Sequence, residues 1–567
     1  MKTTQFFASL SAQKAQPCAL LALLLALSAC GPPSATPNPD DPDGSGGSST
    51  TEPVETGSGG SVAPEDPSSC AESTPGTRLV RRLTRRELTN TQQDVFGQAA
   101  DTAATALPGD AVDRIRLSND SSILQMTQDT AQAVLDRAEE IATAVTAADS
   151  LSSVLPCAAS SPDATCASEF VKKYGEALFR RALDQADIDR YLALFDSVSG
   201  ASDFNTGLKW TLVGLIQSPY AVYRTELGEG GTLTPYEIAS ELAYDYSASP
   251  PSADLIAKAL SGELDSPEAR YEEAKKLLAT PRGMEVVHQF FEEWLNYRDI
   301  LTVSRANTPD NFEAVRPKLA LETKRFLETL LFEKEGHLSD LLTANYTMAD
   351  QELASYYGFS GGSADITQDG GAEVERTFGL GLFAQGSVTG TMASITITSP
   401  TRRGLLLLRR LFCEVPGLPE AINFDLTVDD LTGNTTRERL ENSHLSTSCA
   451  KCHDKFDPLG FGFEHFDHVG RYRDEEVNDK GSFPIDATAT VALLDDLPID
   501  GQEQLMTGLS TSPAVLSCVS GTLSNYVYGA QENCRDKDAR VRVMSGETSI
   551  VDYLAELARE PHFLERN

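Results

Sequence analysis

The residues with the most defined chemistry in this sequence are Cys449-Ala450-Lys451-Cys452-His453. Two thiols three residues apart lie one helical turn from each other, so both can add to vinyl groups on one edge of a porphyrin. The His directly after the second thiol can then turn a ring nitrogen to the iron. That is the attachment pattern of a c-type haem, and it predicts one covalent haem c on Cys449 and Cys452 with His453 as proximal iron ligand. A structural zinc site needs a second ligand pair of similar spacing, and a thioredoxin-like redox pair needs a preceding strand; the sequence offers neither. Haem also needs apolar walls. Phe456, Leu459, Phe461, Phe463 and Phe466 follow at once, with Pro458 and Gly460 expected to turn the chain off the helix.

The sixth ligand separates two uses of such an iron: electron transfer fills both axial positions, whereas catalysis on a small oxidant keeps one open. His468 and His465 lie beyond the Pro458 turn and could fold back. His444 lies nine residues before His453, about 13 Å along a straight helix, so it reaches the same iron only if the chain bends between them. Met392 and Met506 are more distant candidates. Asp457, Glu464 and Asp467 read as braces of the turn, and Arg471 and Arg473 as partners of haem propionates or of surface carboxylates.

Covalent haem attachment of this kind belongs outside the cytoplasm, and the start of the chain agrees. Residues 1–29 carry Lys2 and Lys14 and then an apolar run from Ala19 to Leu27, too short to span a bilayer, which reads as a signal peptide. The run closes with Leu27-Ser28-Ala29-Cys30-Gly31, which resembles a bacterial lipobox. Cys30 would then be the lipidated first residue, and Gly31 after it favours the outer membrane. Residues 30–76 are Pro, Gly, Ser, Thr, Asp and Glu with almost nothing to bury. They read as a disordered tether that holds the body on the order of 35–40 Å from the membrane.

The chain has 567 residues, 40% of them hydrophobic, and a formal net charge of −36. About 490 residues are left for folded structure, enough for several cores. The negative charge argues against nucleic acid and against an anionic membrane surface, so the lipid would be the only membrane attachment. Six of the ten cysteines lie outside the signal, Cys30 and the haem pair. An even number in an oxidising compartment implies disulfides, for which fifteen connectivities exist. Short loops favour Cys157–Cys166 and Cys518–Cys534, which leaves Cys70–Cys413.

The elements that must position this chemistry are helices. Thr84 with Glu87, and Thr234 with Glu237 after Pro235, are capping boxes, and Gly97 closes the first helix. Helical patterns run over residues 116–148, 204–226 and 310–344, and short strands are expected only near Ile395–Thr398. The arginines of residues 78–86 are expected to pair internally. The fold class is mainly α, with several helical domains in series and a small cytochrome-c-like haem module near the C-terminus. The expected boundaries are 77–150, 151–228 and 229–360 for helical domains, 361–480 for the haem module and 481–567 for a C-terminal helical domain.

Several blocks together resemble the multi-domain proteins of unknown function of planctomycetes and myxobacteria that carry a c-type haem, the planctomycete cytochrome-type proteins. The blocks are Arg-Arg-Leu-Thr-Arg-Arg-Glu at 81–87, Phe-Arg-Arg-Ala-Leu at 179–183, Gln-Ser-Pro-Tyr at 217–220 and Leu-Thr-Pro-Tyr-Glu at 233–237. Thr398-Ser-Pro-Thr-Arg-Arg-Gly404 then leads to a long run from Cys449 through Arg471. The resemblance spans nearly all of residues 78–560. Glu241-Leu-Ala-Tyr-Asp-Tyr246 and Tyr526-Val-Tyr-Gly-Ala530 depart from the family's pattern by a missing Arg and Trp. The resemblance implies architecture and cofactor but no substrate. The expectation is therefore a cell-envelope lipoprotein that transfers electrons to a partner protein or forms the redox part of an oxidoreductase. The alternative is a binding or scaffold lipoprotein in which haem, or a disulfide, has a structural role.

Overall fold

The computed structural model describes residues 67–113, 116–416, 432–445, 449–531 and 534–567. The signal peptide, the lipidation site Cys30 and the tether up to residue 66 lie outside the described residues.

The body is mainly α, as expected, and its helices start where side chains can cap them. Strand β1 (Leu79–Arg82) leads into α1 (Arg85–Phe96). There Thr84 Oγ1 accepts from the Glu87 N–H and the Glu87 carboxylate accepts from the Thr84 N–H, so two of the helix's open donors are satisfied reciprocally. Gly97 closes the helix at φ 52°. Helix α2 (Gln128–Val145) starts at the Thr127 cap, not at residue 116. The earlier residues are drawn away from helix: Ser118 donates to Glu293 through both N and Oγ, and the Asp120 carboxylate takes the Ser122 N–H.

Helices α3 (Ala164–Phe179), α4 (Gln185–Ser199) and α5 (Phe204–Ile216) are capped by Asp163, Asp184 and Asp203. The helix expected through residue 226 ends at Ile216. Pro219 has no N–H to continue it, Ser218 caps the next short turn, and Tyr223–Glu226 becomes β2, antiparallel to β1 with Leu79 opposite Glu226. Next come α6 (Pro235–Ser247), opened by the expected capping box, then α7 (Pro267–Leu278), α8 (Pro281–Leu295) and α9 (Phe312–Glu328). The expected helix to 344 stops early, because Glu335 turns left-handed at φ 51° and the Gly336 N–H closes on Leu330 O. Strands β3 (Tyr346–Ala349) and β4 (Ala372–Glu375) pair next, followed by α10 (Pro400–Leu411) and α11 (Ala450–Phe461). The chain ends with two further hairpins, β5–β6 (Glu475–Asn478, Gly481–Pro484) and β7–β8 (Thr488–Val491, Leu497–Asp500). Helices α12 (Gln502–Ser510), α13 (Pro513–Tyr528) and α14 (Ile550–Glu556) follow. No strand forms at 395–398, where Ile395 and Ile397 lie exposed on a loop.

Among the described residues there are four hydrophobic cores, the smallest of them around Leu83, Leu88, Val222 and Tyr244. One, around Phe170, Tyr174, Leu208 and Leu212, holds α3 to α5 together. A second gathers Phe312, Leu319, Tyr357 and Val374. The largest reaches from Leu117 to Phe563, and it absorbs Phe456, Leu459, Phe463 and Phe466 alongside Trp294, Phe383 and Leu407. The aromatic residues read as a haem wall are thus mostly spent on the protein's own interior. The arginine cluster pairs internally: Arg81 with Asp245 at 3.0 Å and Arg82 with Asp110 at 2.6 Å.

Cys157 and Cys166 are bonded to each other, as expected. The other pairings differ from expectation: Cys413 is bonded to Cys518, and Cys70 to Cys534. Cys518 sits early in α13, which runs on for ten residues, roughly 15 Å, before the chain can turn back. Cys534 therefore starts from the far end of that helix. Cys518, buried on α13, meets the end of α10 at Cys413, and Cys534 meets the entry of the chain at Cys70.

Candidate functional site

Helices α10 and α11 are in backbone contact, and two glycines make that possible. A Cβ on Gly404 would stand 1.8 Å from Phe456 O, and one on Gly460 would stand 1.9 Å from Pro400 O. Gly460 therefore does not turn the chain off the helix, and Pro458 lies within α11, which runs through to Phe461. Arg403 on α10 fastens the segment after α11, donating to Phe463 O at 2.9 Å, Phe466 O at 2.8 Å and Asp467 O at 2.8 Å.

This crossing positions the chemistry. Cys449 is the residue just before α11, and Cys452 and His453 lie in its first turn; both thiols are half-buried and in no disulfide. His453 and Asp457 are four residues apart and share a helix face, so His453 Nδ1 meets Asp457 Oδ2 at 3.0 Å. His444, on the turn Glu441–Leu445 before the helix, reaches the same oxygen through its own Nδ1 at 2.9 Å. The two imidazoles lie against each other with ring centroids 3.8 Å apart, and the Phe456 ring packs 4.7 Å from His453. Thr401 on α10 donates to the other carboxylate oxygen, Oδ1, at 2.9 Å. Asp457 is fully buried. Burial alone would raise its pKa, but the hydrogen bonds from His444, His453 and Thr401 and the nearby His453 charge hold it below the ordinary carboxylate value.

His444 and His453 do come together, with their rings side by side. Imidazoles that ligate one iron from opposite faces cannot touch each other, so this arrangement does not place His444 across an iron from His453. Neither His465 nor His468 joins the group. His465 Nδ1 lies 2.9 Å from Arg473 O with its ring stacked on Tyr472, and His468 Nε2 lies 2.9 Å from Ala306 O. Met506 is buried in the large core, while Met392 lines a cavity of about 490 Å³ with Leu405, Leu406 and Arg409 of α10. Glu464 and Asp467 brace the segment that follows α11, not a turn at Pro458: Glu464 accepts from Thr398 at 2.9 Å, and Asp467 Oδ1 accepts from the backbone of Val469 and Arg471. Arg471 and Arg473 are paired with these same carboxylates.

Among the described residues, His444, His453 and Asp457 are the one group of this kind whose ligand atoms converge, all within 4.8 Å of one another. Asp457 as the shared acceptor was legible only in part, from its position four residues after His453. Thr401 carried no signal, since it comes from 56 residues earlier in the chain.

The fold and this site define a mainly α, multi-domain protein in which the helix that carries the thiol pair also supplies His453 and Asp457 to a two-histidine, one-carboxylate cluster. Four segments match families described only as proteins of unknown function. Residues 81–147 match DUF1587 (PSD3), 166–226 match DUF1595 (PSD5), 233–359 match DUF1592 (PSD4), and 380–476, which hold the site, match DUF1588 (PSCyt3). No curated protein and no solved structure matches the chain. No described helix is long and apolar enough to cross a membrane. The three disulfides point to an oxidising, extracytoplasmic compartment.

Proposed function

We propose that this chain is a cell-envelope lipoprotein carrying one covalent haem c on Cys449 and Cys452, with His453 as proximal ligand. It works in electron transfer with a partner protein or as the redox part of an oxidoreductase. Cys30 would anchor it by lipid, on the outer membrane. The observation that carries the reading is the donor set. Six cysteines of the body are consumed in disulfides while Cys449 and Cys452, one helical turn apart, are in none. The adjacent His453 gives its Nδ1 to a buried carboxylate, which fixes the tautomer whose Nε2 can bind a metal. The match of residues 380–476 to the family labelled PSCyt3, a cytochrome-like label, supports it further. The haem would supply one-electron chemistry. The protein's part is to hold the thiols and orient the imidazole.

Protein made in a host competent for c-type maturation should keep its haem through boiling in detergent and acid-acetone extraction. Changing both Cys449 and Cys452 to Ala should abolish that signal. A wild-type protein without covalent haem refutes the reading. Spectra of the reduced protein with and without carbon monoxide then separate an electron carrier, whose spectrum is unchanged, from an iron with an open position.

A second reading rests on the convergence of His444, His453 and Asp457: a transition-metal ion held by these groups. It predicts stoichiometric metal and no porphyrin absorption, with the metal lost in His444→Ala.

A further inference from the structure

Resting on the haem reading above, we infer that Asp457 is a positioning residue that lowers the reduction potential of the iron by strengthening His453 as a donor, and that His444 limits this effect by sharing the same carboxylate oxygen.

Asp457 is wholly buried at the α10–α11 crossing, and both of its oxygens are engaged. Thr401 holds Oδ1 at 2.9 Å and so fixes the plane of the carboxylate. Oδ2 is left to the imidazoles, at 3.0 Å from His453 Nδ1 and 2.9 Å from His444 Nδ1. For both contacts to be hydrogen bonds, each ring must carry its proton on Nδ1, because the carboxylate only accepts. A carboxylate on the far nitrogen of a ligating imidazole makes that ring more electron-rich, which favours the oxidised, more positive iron. The hydrogen bond is also charge-assisted and shielded from water, so its effect is not lost to solvent.

His444 changes the size of the effect. One oxygen that accepts from two donors gives less of its charge to each. The two rings are in contact at 3.8 Å, so His444 is held where it competes and is not free to swing away. Asp457 and His444 should therefore act on the iron with opposite signs, which a merely structural role would not produce.

The test uses full-length wild-type protein, Asp457→Asn and His444→Ala, each made in a host competent for haem c maturation. Covalent haem is read by peroxidase staining after denaturing electrophoresis, and the midpoint potential by spectroelectrochemical titration of the intact holoproteins. Asp457→Asn should shift the reduction equilibrium at least tenfold toward the ferrous form, an upward shift of 59 mV for a one-electron couple. His444→Ala should shift it about threefold the other way as Oδ2 turns wholly to His453. If Asp457→Asn does not fold, His444→Ala carries the test alone, since its removal leaves Asp457 bonded to Thr401 and His453. Haem-loaded variants with unmoved potentials, or with shifts of the same sign, overturn the inference while leaving the haem reading intact. Wild-type protein without covalent haem overturns the haem reading and this inference with it.

Discussion

Replacing Gly404 with Ala should destabilise the protein, although the same change in an ordinary helix interior stabilises it. Ala is favoured over Gly in a helix by about 1 kcal/mol. Gly404 lies in α10, so propensity alone predicts that gain. Against it stands the crossing with α11. The new Cβ would fall 1.8 Å from Phe456 O and 2.6 Å from Phe456 C, and these are backbone atoms of a helix that cannot rotate aside. Restoring ordinary contact requires the helices to part by on the order of 1.5 Å, and overpacking of that kind costs about 1–3 kcal/mol or more. Parting them also stretches the 2.9 Å Thr401–Asp457 hydrogen bond beyond bonding range, at about 1 kcal/mol for a buried group. The net expectation is a loss of about 2 kcal/mol. Urea unfolding followed by circular dichroism should show a lower midpoint with an unchanged slope. Gly460→Ala, which meets Pro400 O at 1.9 Å from the opposite side of the same crossing, should behave alike. An unchanged or raised midpoint for both variants would refute the close crossing, and with it the way α10 is said to hold the carboxylate beneath His453.

The remaining predictions concern charge, disulfides and anchoring. Glu322 is wholly buried with Thr347 and Tyr357 on its two oxygens, and burial, opposed by Arg376 and these hydrogen bonds, pushes its pKa up from 4.5 to about 7. Its stabilising contribution is therefore fully present below pH 4.5 and is lost as the pH rises toward and through 7, by about 1.4 kcal/mol per unit over that window. The stability of Glu322→Gln relative to wild type should rise across the same window; a flat difference would contradict the assignment. Non-reducing peptide mapping should find Cys413 with Cys518 and Cys70 with Cys534. Because the former closes a span of 105 residues, replacing both its cysteines should cost about 2–4 kcal/mol in a thermal or urea melt. Cys30→Ser should release the body from membranes; retention in the membrane fraction would place the anchor elsewhere.

What the sequence determined by itself is local. The thiol pair and its His, the capping boxes at Thr84 and Thr234, the left-handed stop at Gly97 and the nine-residue disulfide Cys157–Cys166 all depend on partners within a few turns of chain. Hydrogen bonds of that reach are written in residue spacing. The mainly α class follows from the same signals repeated along the chain. The tertiary structure decided everything that depends on which surfaces meet. It diverted Tyr223–Glu226 from helix to strand because β1 was there to pair with it. It drew Phe463 and Phe466 into the common core, and it sent Cys518 to Cys413 because α13 faces α10. At the site, the four-residue step from His453 to Asp457 could be read from the sequence. That Thr401 and His444 close on the same carboxylate could not, since nothing local brings residues 401 and 444 together. Only the two glycines, by letting α10 and α11 touch backbone to backbone, set the carboxylate between them.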